Sequence, residues 1–341
     1  MRLQNISIVL VLLFSITLSQ TVYAQSAQEK YEAKIRQAND VRAQMSAPDI
    51  TKEKYDELNA QYEQLRKEIA ELEQALKADA DYAKRINDAK VAYNDGNTAY
   101  KKGQYEEAIK SYDKSIELDT NNSLAYYGKG LALSKMRRYE DAVQAYTMAT
   151  EIDPSNVQAY SAMGSAYNSL RQYDQAVLAY TKAIELDPKR HSTLYNLGLV
   201  YSRLKDHKNA IKSFLQATQA KPDYYRAFNS LGVAYLEDGQ VDKSIMAFQN
   251  ALAVKEDYDE AFYRLALAYN KIGRFQDALD AANDCLKYTR RLAGAAHYEA
   301  GLAAKNLGQT ETALQHLREA AKDRRWRKSA EYEIESIEKG Q

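Results

Sequence analysis

Four histidines, one cysteine and the Ser-x-x-Lys spacing of Ser111 and Lys114 are residues here whose types suggest chemistry. His191, His207, His297 and His316 include no pair at the i, i+4 spacing that sets two imidazoles on one helical face around a metal. Cys285 has no second cysteine with which to form a disulfide or share a metal. Ser111 and Lys114 have the spacing of some acylating serine–lysine pairs, but they fall inside an amphipathic helical run. No glycine-rich phosphate loop follows a strand pattern. We therefore expect no catalytic residue, no metal and no cofactor. The densest charge is Arg324-Arg325-Trp326-Arg327-Lys328. We read it as a helix end with Trp326 covering an apolar face, and an anion-contacting patch is the alternative.

The elements that carry these residues must be helices. The chain has 341 residues, 28% of them charged, with only 13 Gly and 4 Pro, so long helices are favoured over turn-rich sheets. Its 47 Lys+Arg balance 47 Asp+Glu, which removes the general electrostatic case for a nucleic-acid partner. Arg2 precedes an uncharged, mostly apolar run from Ile6 to Leu18, and Val22-Tyr23-Ala24 follows with modest side chains. That pattern predicts a secretory signal over residues 1–24, cleaved after Ala24. The run is shorter than the roughly 20 apolar residues a bilayer needs, and no other segment replaces it. The mature protein is expected in the periplasm or medium, with no transmembrane segment.

A repeat organises most of the rest. Gly96, Gly130, Gly164, Gly198 and Gly232 are spaced by 34 residues, and Ala266 and Gly301 extend the series. Twelve residues later a small residue recurs: Ala108, Ala142, Ala176, Ala210, Ser244, Ala278, Ala313. A bulky register follows with Tyr112, Tyr146, Tyr180, Phe214 and Phe248, then Ala282 and Leu317. Within a unit, apolar positions return every three or four residues in two runs, so each unit is a pair of amphipathic helices. Glycine costs about 1 kcal/mol relative to Ala inside a helix, so its return at one position implies close approach of a neighbour.

In Tyr160, Met163-Gly164, Tyr167, Ala176, Tyr180, Ala183 and Pro188 the sequence resembles the tetratricopeptide repeat family. Leu194, Leu197-Gly198, Tyr201, Ala210, Phe214, Ala217 and Pro222 repeat the pattern. The resemblance covers seven units, 89–122, 123–156, 157–190, 191–224, 225–258, 259–292 and 294–327, with 328–341 as a capping helix. It implies an all-α, right-handed superhelical solenoid whose first helices line a concave groove for a partner's peptide or helix. Positions 2, 5, 9 and 12 of each repeat share the face implied to bind. The candidate groove residues are Tyr93, Asn97, Tyr127, Asn168, Tyr195, Arg226, Asn229, Tyr263, Asn270 and Tyr298. The family's carboxylate clamp of Lys, Asn and Arg is met by no three successive repeats, so a chaperone-type C-terminal peptide is not expected.

Residues 25–88 differ. Tyr55, Leu58, Tyr62, Leu65, Ile69, Leu72 and Leu76 alternate by three and four, and Thr51 can cap their helix. A weaker stripe, Tyr31, Ile35, Ala38 and Met45, ends before Pro48, so a helical hairpin or coiled coil is expected. Folded about Asp49, residue i would oppose about 98 − i, leaving Leu72 and Leu76 uncovered. Leu65, Ile69, Leu72 and Leu76 are therefore the expected homo-oligomer stripe, with docking onto the first repeat as the alternative. The order of signal, coiled coil and repeats is similar to periplasmic cell-division coordinators associated with the Tol-Pal system. It implies a non-enzymatic exported scaffold for another protein, in envelope assembly or division. A periplasmic accessory of polysaccharide export or protein secretion is the alternative. A glycan-binding protein or enzyme is disfavoured by the missing acid/base pair.

Overall fold

The computed structural model describes residues 28–77 and 80–340, and the expected signal segment 1–24 lies outside them. The protein is all-α, with no strand among the described residues. None of the described helices is long and apolar enough to cross a membrane. Contacts divide the chain into two compact units, Met1–Ala159 and Tyr160–Gln341.

The first unit holds α1 (residues 28–45), α2 (Lys52–Lys77), α3 (Ala80–Lys101), α4 (Tyr105–Leu118), α5 (Ser123–Lys135) and α6 (Tyr139–Ile152). Helix α7 (Val157–Ser169) begins there and continues into the second unit. The second then runs through α8 (Tyr173–Leu186), α9 (His191–Arg203), α10 (His207–Ala220), α11 (Tyr225–Glu237) and α12 (Val241–Val254). It ends with α13 (Asp259–Lys271), α14 (Phe275–Tyr288), α15 (Ala293–Asn306), α16 (Thr310–Ala321) and α17 (Arg327–Glu338).

The turn inside each pair is built alike. After α7, Arg171 turns left-handed (φ 60°), Gln172 N–H bonds Tyr167 O at 2.9 Å, and Arg171 N–H bonds Asn168 O at 3.1 Å. These are the two bonds of a Schellman ending. Gly103, Gly239, Gly273 and Gly308 hold the same left-handed position in other pairs, whereas Arg137, Arg171 and Lys205 hold it with a Cβ. Between pairs, Asp187 leaves the helix at φ −137° before Pro188, because proline pushes its predecessor out of the α region.

The register glycines explain the packing. A Cβ on Gly198 would stand 2.6 Å from Phe214 Cε1, and one on Gly164 would stand 2.7 Å from Tyr180 Cδ1. Each ring fills the space that its glycine leaves, and Tyr112, Tyr146, Tyr180, Phe214 and Phe248 are all fully buried. Ala266 stands where the other pairs have glycine, and there the ring is replaced by Ala282.

The hairpin corrects the expected oligomer stripe. Lys34 Nζ meets Glu68 at 2.6 Å, so residue i opposes about 102 − i. Farther out, Tyr31 packs in one cluster with Ile35, Ile69, Leu72, Leu76 and Tyr82. Leu76 is 2% exposed, and Leu65 is buried beside Ala38, Val41 and Leu58. The reason is side-chain direction. Helical side chains lean toward their own N-terminus, so α1 reaches away from the loop while α2 leans back toward it. Both tilts bring higher-numbered residues of α2 into contact, so Leu65 and Leu76 are buried and Ile69 and Leu72 half-buried within the chain. Thr51 Oγ1 accepts the Lys54 N–H at 3.3 Å at the start of α2. The hairpin also meets the repeats of its unit: Asn121 Nδ2 donates to Tyr31 Oη at 3.5 Å, and Arg42 Nη1 to Glu151 O at 3.2 Å.

Candidate partner-binding face

In the first unit, Tyr93, Asn97 and Tyr127 lie half-buried on the first helices of their pairs. Tyr93 tilts against Tyr112 with ring centroids 6.0 Å apart, and Tyr127 meets Tyr146 in the same way. Asn97 Oδ1 accepts the Tyr112 hydroxyl at 2.8 Å, and burial pushes that phenol up to about 12. These groove candidates therefore also brace the core, because an aromatic at position 5 leans on the ring of its own pair.

The second unit gathers more. Tyr195 contacts Phe214 at 5.7 Å and Tyr224 at 5.0 Å between centroids, and its hydroxyl accepts from Ser230 Oγ at 3.4 Å. Tyr225 meets Tyr258 edge-on at 4.9 Å. Exposed Arg226 donates from Nε to Tyr225 Oη at 3.2 Å, and Lys255 Nζ sits 5.2 Å from the centroid of the Tyr225 ring. Burial raises the Tyr224 and Tyr258 phenols, the latter to about 12, so both remain neutral hydrogen-bonding groups. Asn229 is 9% exposed, and its Oδ1 has no hydrogen-bond partner. Asn168 Oδ1 is committed to Arg203 Nη1 at 2.7 Å. Tyr263 is half-buried beside Cys285 and Phe262, and Asn270 donates to Glu299 on α15.

Tyr298 stacks at 4.9 Å on Trp326. Trp326 closes the end of the array over Leu317, Ala320 and Ala330, and two of its basic neighbours, Arg325 and Arg327, are engaged locally. Arg325 grips Asp323 at 2.7 Å, which holds that carboxyl near 2, and Arg327 Nε donates to Ala321 O at 3.1 Å.

Three features were missed in the sequence. Tyr224, Tyr225 and Tyr258 lie next to the helix starts, outside the positions taken for the groove, although Tyr224 and Tyr258 recur at the 34-residue period. Glu299 holds a position occupied by Asn94, Gly128, Ala162, Asn196, Ser230 and Arg264 elsewhere, and its acid was the available signal. His297 and His316 lie on different helices, yet their Nδ1 atoms are 3.0 Å apart. Among the described residues, no three His, Cys, Asp or Glu side chains converge as a metal site. Cys285 is buried, and desolvation pushes its thiol up to about 12, far from a reactive thiolate.

The tetratricopeptide family models match residues 96–136, 123–156, 164–205 and 191–224. The repeats within residues 96–156 and 164–224 match the tetratricopeptide repeat. A model described as the TT21 fifth ARM repeats domain matches residues 234–337. Among solved structures, the tetratricopeptide repeat protein of Parabacteroides merdae ATCC 43184 is 16% identical, covering 74% of this chain and 99% of its own, with a TM-score of 0.52. That likeness is one of fold. The MamA protein is 28% identical over 49% of this chain and 92% of its own, with a TM-score of 0.47. YrrB, described as a tetratricopeptide repeat protein with an unusual peptide-binding site, is 24% identical over 53% and 95%, with a TM-score of 0.47. No curated protein matches the chain in sequence.

Proposed function

We propose that this chain is a non-enzymatic, exported scaffold that binds a peptide or helix of another protein along the first helices of its tetratricopeptide repeats. The observation that carries this reading is the cluster of Tyr195, Tyr224, Tyr225 and Tyr258 around exposed Arg226, with buried Asn229 Oδ1 left without a donor on the same helix as Arg226. Tyrosine offers contact area with few rotamers to freeze, and an unsatisfied acceptor is stabilised by a partner's N–H. The export signal in the sequence supports a role in the cell envelope, in assembly or division. The hairpin is read as the N-terminal cover of the array, since its apolar stripe is already packed.

Tyr195 and Tyr263 also support the core, so their removal would confound binding with folding. The cleaner test is Arg226→Glu, whose side chain is exposed. Reversing that charge should weaken capture of envelope partners without moving the melting temperature. Unchanged capture by the folded variant would place binding elsewhere.

A further inference from the structure

Glu299 lies on α15 at its seam with α13 and is 6% exposed, yet no cation among the described residues pairs with it. Its Oε2 accepts from Asn270 Nδ2 at 2.8 Å, and the same amide nitrogen donates to the Glu299 backbone carbonyl at 3.0 Å. No hydrogen bond to Glu299 Oε1 is made among the described residues, though that oxygen is not fully buried, whereas Asn270 Oδ1 is fully buried and has no donor. Two bonded side chains thus each present an acceptor with no donor. The nearby guanidinium groups are committed elsewhere: Arg264 and Arg291 both hold Glu260, each at 3.1 Å. Burial raises the Glu299 carboxyl above its ordinary value, and the Asn270 bond does not cancel that. Packing does not require an acid here, because the same position elsewhere carries Asn94, Gly128, Ala162, Asn196, Ser230 and Arg264. A buried carboxylate without a counter-charge destabilises the free protein, and a cation from outside relieves that.

We propose that Glu299 and Asn270 form a cation-accepting subsite on the first-helix face, taking a lysine or arginine side chain of the bound partner. The inference rests on the reading that this face binds a peptide. The incoming cation donates to Glu299 Oε1, the carboxylate oxygen that Asn270 leaves free. Tyr263 and Tyr298 lie close enough to feel the Glu299 charge, which helps to raise both phenols. The subsite also gives polarity to the face, with a buried acid here and exposed Arg226 on α11.

The test is selection of a displayed library of random peptides on the purified full chain, followed by affinities for the best synthetic peptide. Selected sequences should share a Lys or Arg at one position. Replacing it with norleucine should weaken binding at least tenfold on the unmodified protein and much less on Glu299→Gln. Affinity for the basic peptide should also rise with pH as the Glu299 carboxyl ionises. Glu299→Gln keeps the Asn270 bond and removes a buried charge, so it should melt no lower than the parent. Should that variant fail to fold, the norleucine peptide on the unmodified chain decides alone. Peptides bound without a shared basic residue, or norleucine costing nothing, would overturn the subsite and leave peptide binding standing. Retention of no peptide, or of peptides indifferent both to norleucine and to Arg226→Glu, would overturn both.

Discussion

Replacing Gly198 with alanine tests the packing rule on which the repeats depend. In an open helix this change stabilises by about 1 kcal/mol, because alanine restricts the unfolded chain and suits the helix. Here the new Cβ would lie 2.6 Å from Phe214 Cε1, 2.7 Å from Cδ1 and 2.9 Å from Cζ. Carbon atoms in good contact sit at about 3.5–4.0 Å, so the ring or the helix must yield by roughly 1 Å. Overpacking of that kind costs about 1–3 kcal/mol, which offsets the helical gain and leaves Gly198→Ala destabilising by up to about 2 kcal/mol. In a Phe214→Ala background the ring is gone, and Gly198→Ala should instead recover about 1 kcal/mol. The two results differ by a coupling of about 1–3 kcal/mol. The Ala266 and Ala282 pair, at the same two positions two repeats later, is the natural form of this double substitution. Urea unfolding of the four proteins by circular dichroism measures the cycle. Gly198→Ala stabilising the parent and the Phe214→Ala protein equally would refute the steric reasoning.

The His297 and His316 pair should make the last repeat sensitive to acid. Burial lowers both imidazole pKa values below 6.5, with the second imidazole adding to the effect at His316, while Glu319 opposes it at His297 and Lys322 reinforces it. The unfolded chain therefore binds more protons as pH falls through 6.5, and stability present above that value should decline below it. Hydrogen exchange at pH 7.5 and 5.5 should show this loss in α15 and α16, and His297→Leu should shrink it; equal protection at both pH values would contradict the sign. Arg137→Gly, Arg171→Gly and Lys205→Gly should each stabilise by up to about 1 kcal/mol, since each removes a Cβ from a left-handed turn, as thermal unfolding would show. Leu76→Asp should destabilise the first unit by about 2–4 kcal/mol without changing the mass seen by light scattering, because Leu76 is packed inside its own chain. Mass spectrometry of the cellular protein should find Gln25 as its N-terminus, and recovery with residues 1–24 attached would contradict cleavage.

The helical pairs were legible because their signal is local and repeated. Gly198, Ala210 and Phe214 report one contact, and the 34-residue period reports it many times over. The hairpin was legible as two helices but not in register, since residue counting from Asp49 ignores the lean of side chains along a helix. Counting in that way leaves Leu76 uncovered, whereas it packs in one cluster with Tyr31. Position 5 tyrosines were readable as a row on the first helices. Their partial burial was not, because it depends on rings such as Phe214 bending toward them from the second helix. His297 and His316 stayed apart in the sequence because antiparallel pairing, and not helical spacing, joins them.

Partner contact through the first-helix face is tested most directly by site-specific photocrosslinking in living cells. A photoreactive residue at Arg226 would sit among Tyr195, Tyr224 and Tyr225, whereas one at Leu178, 71% exposed on the second helix α8, would sit away from them. Light should join a partner to the chain from position 226 and leave position 178 without an adduct. A partner captured from position 178 and absent from 226 would contradict binding along the first helices.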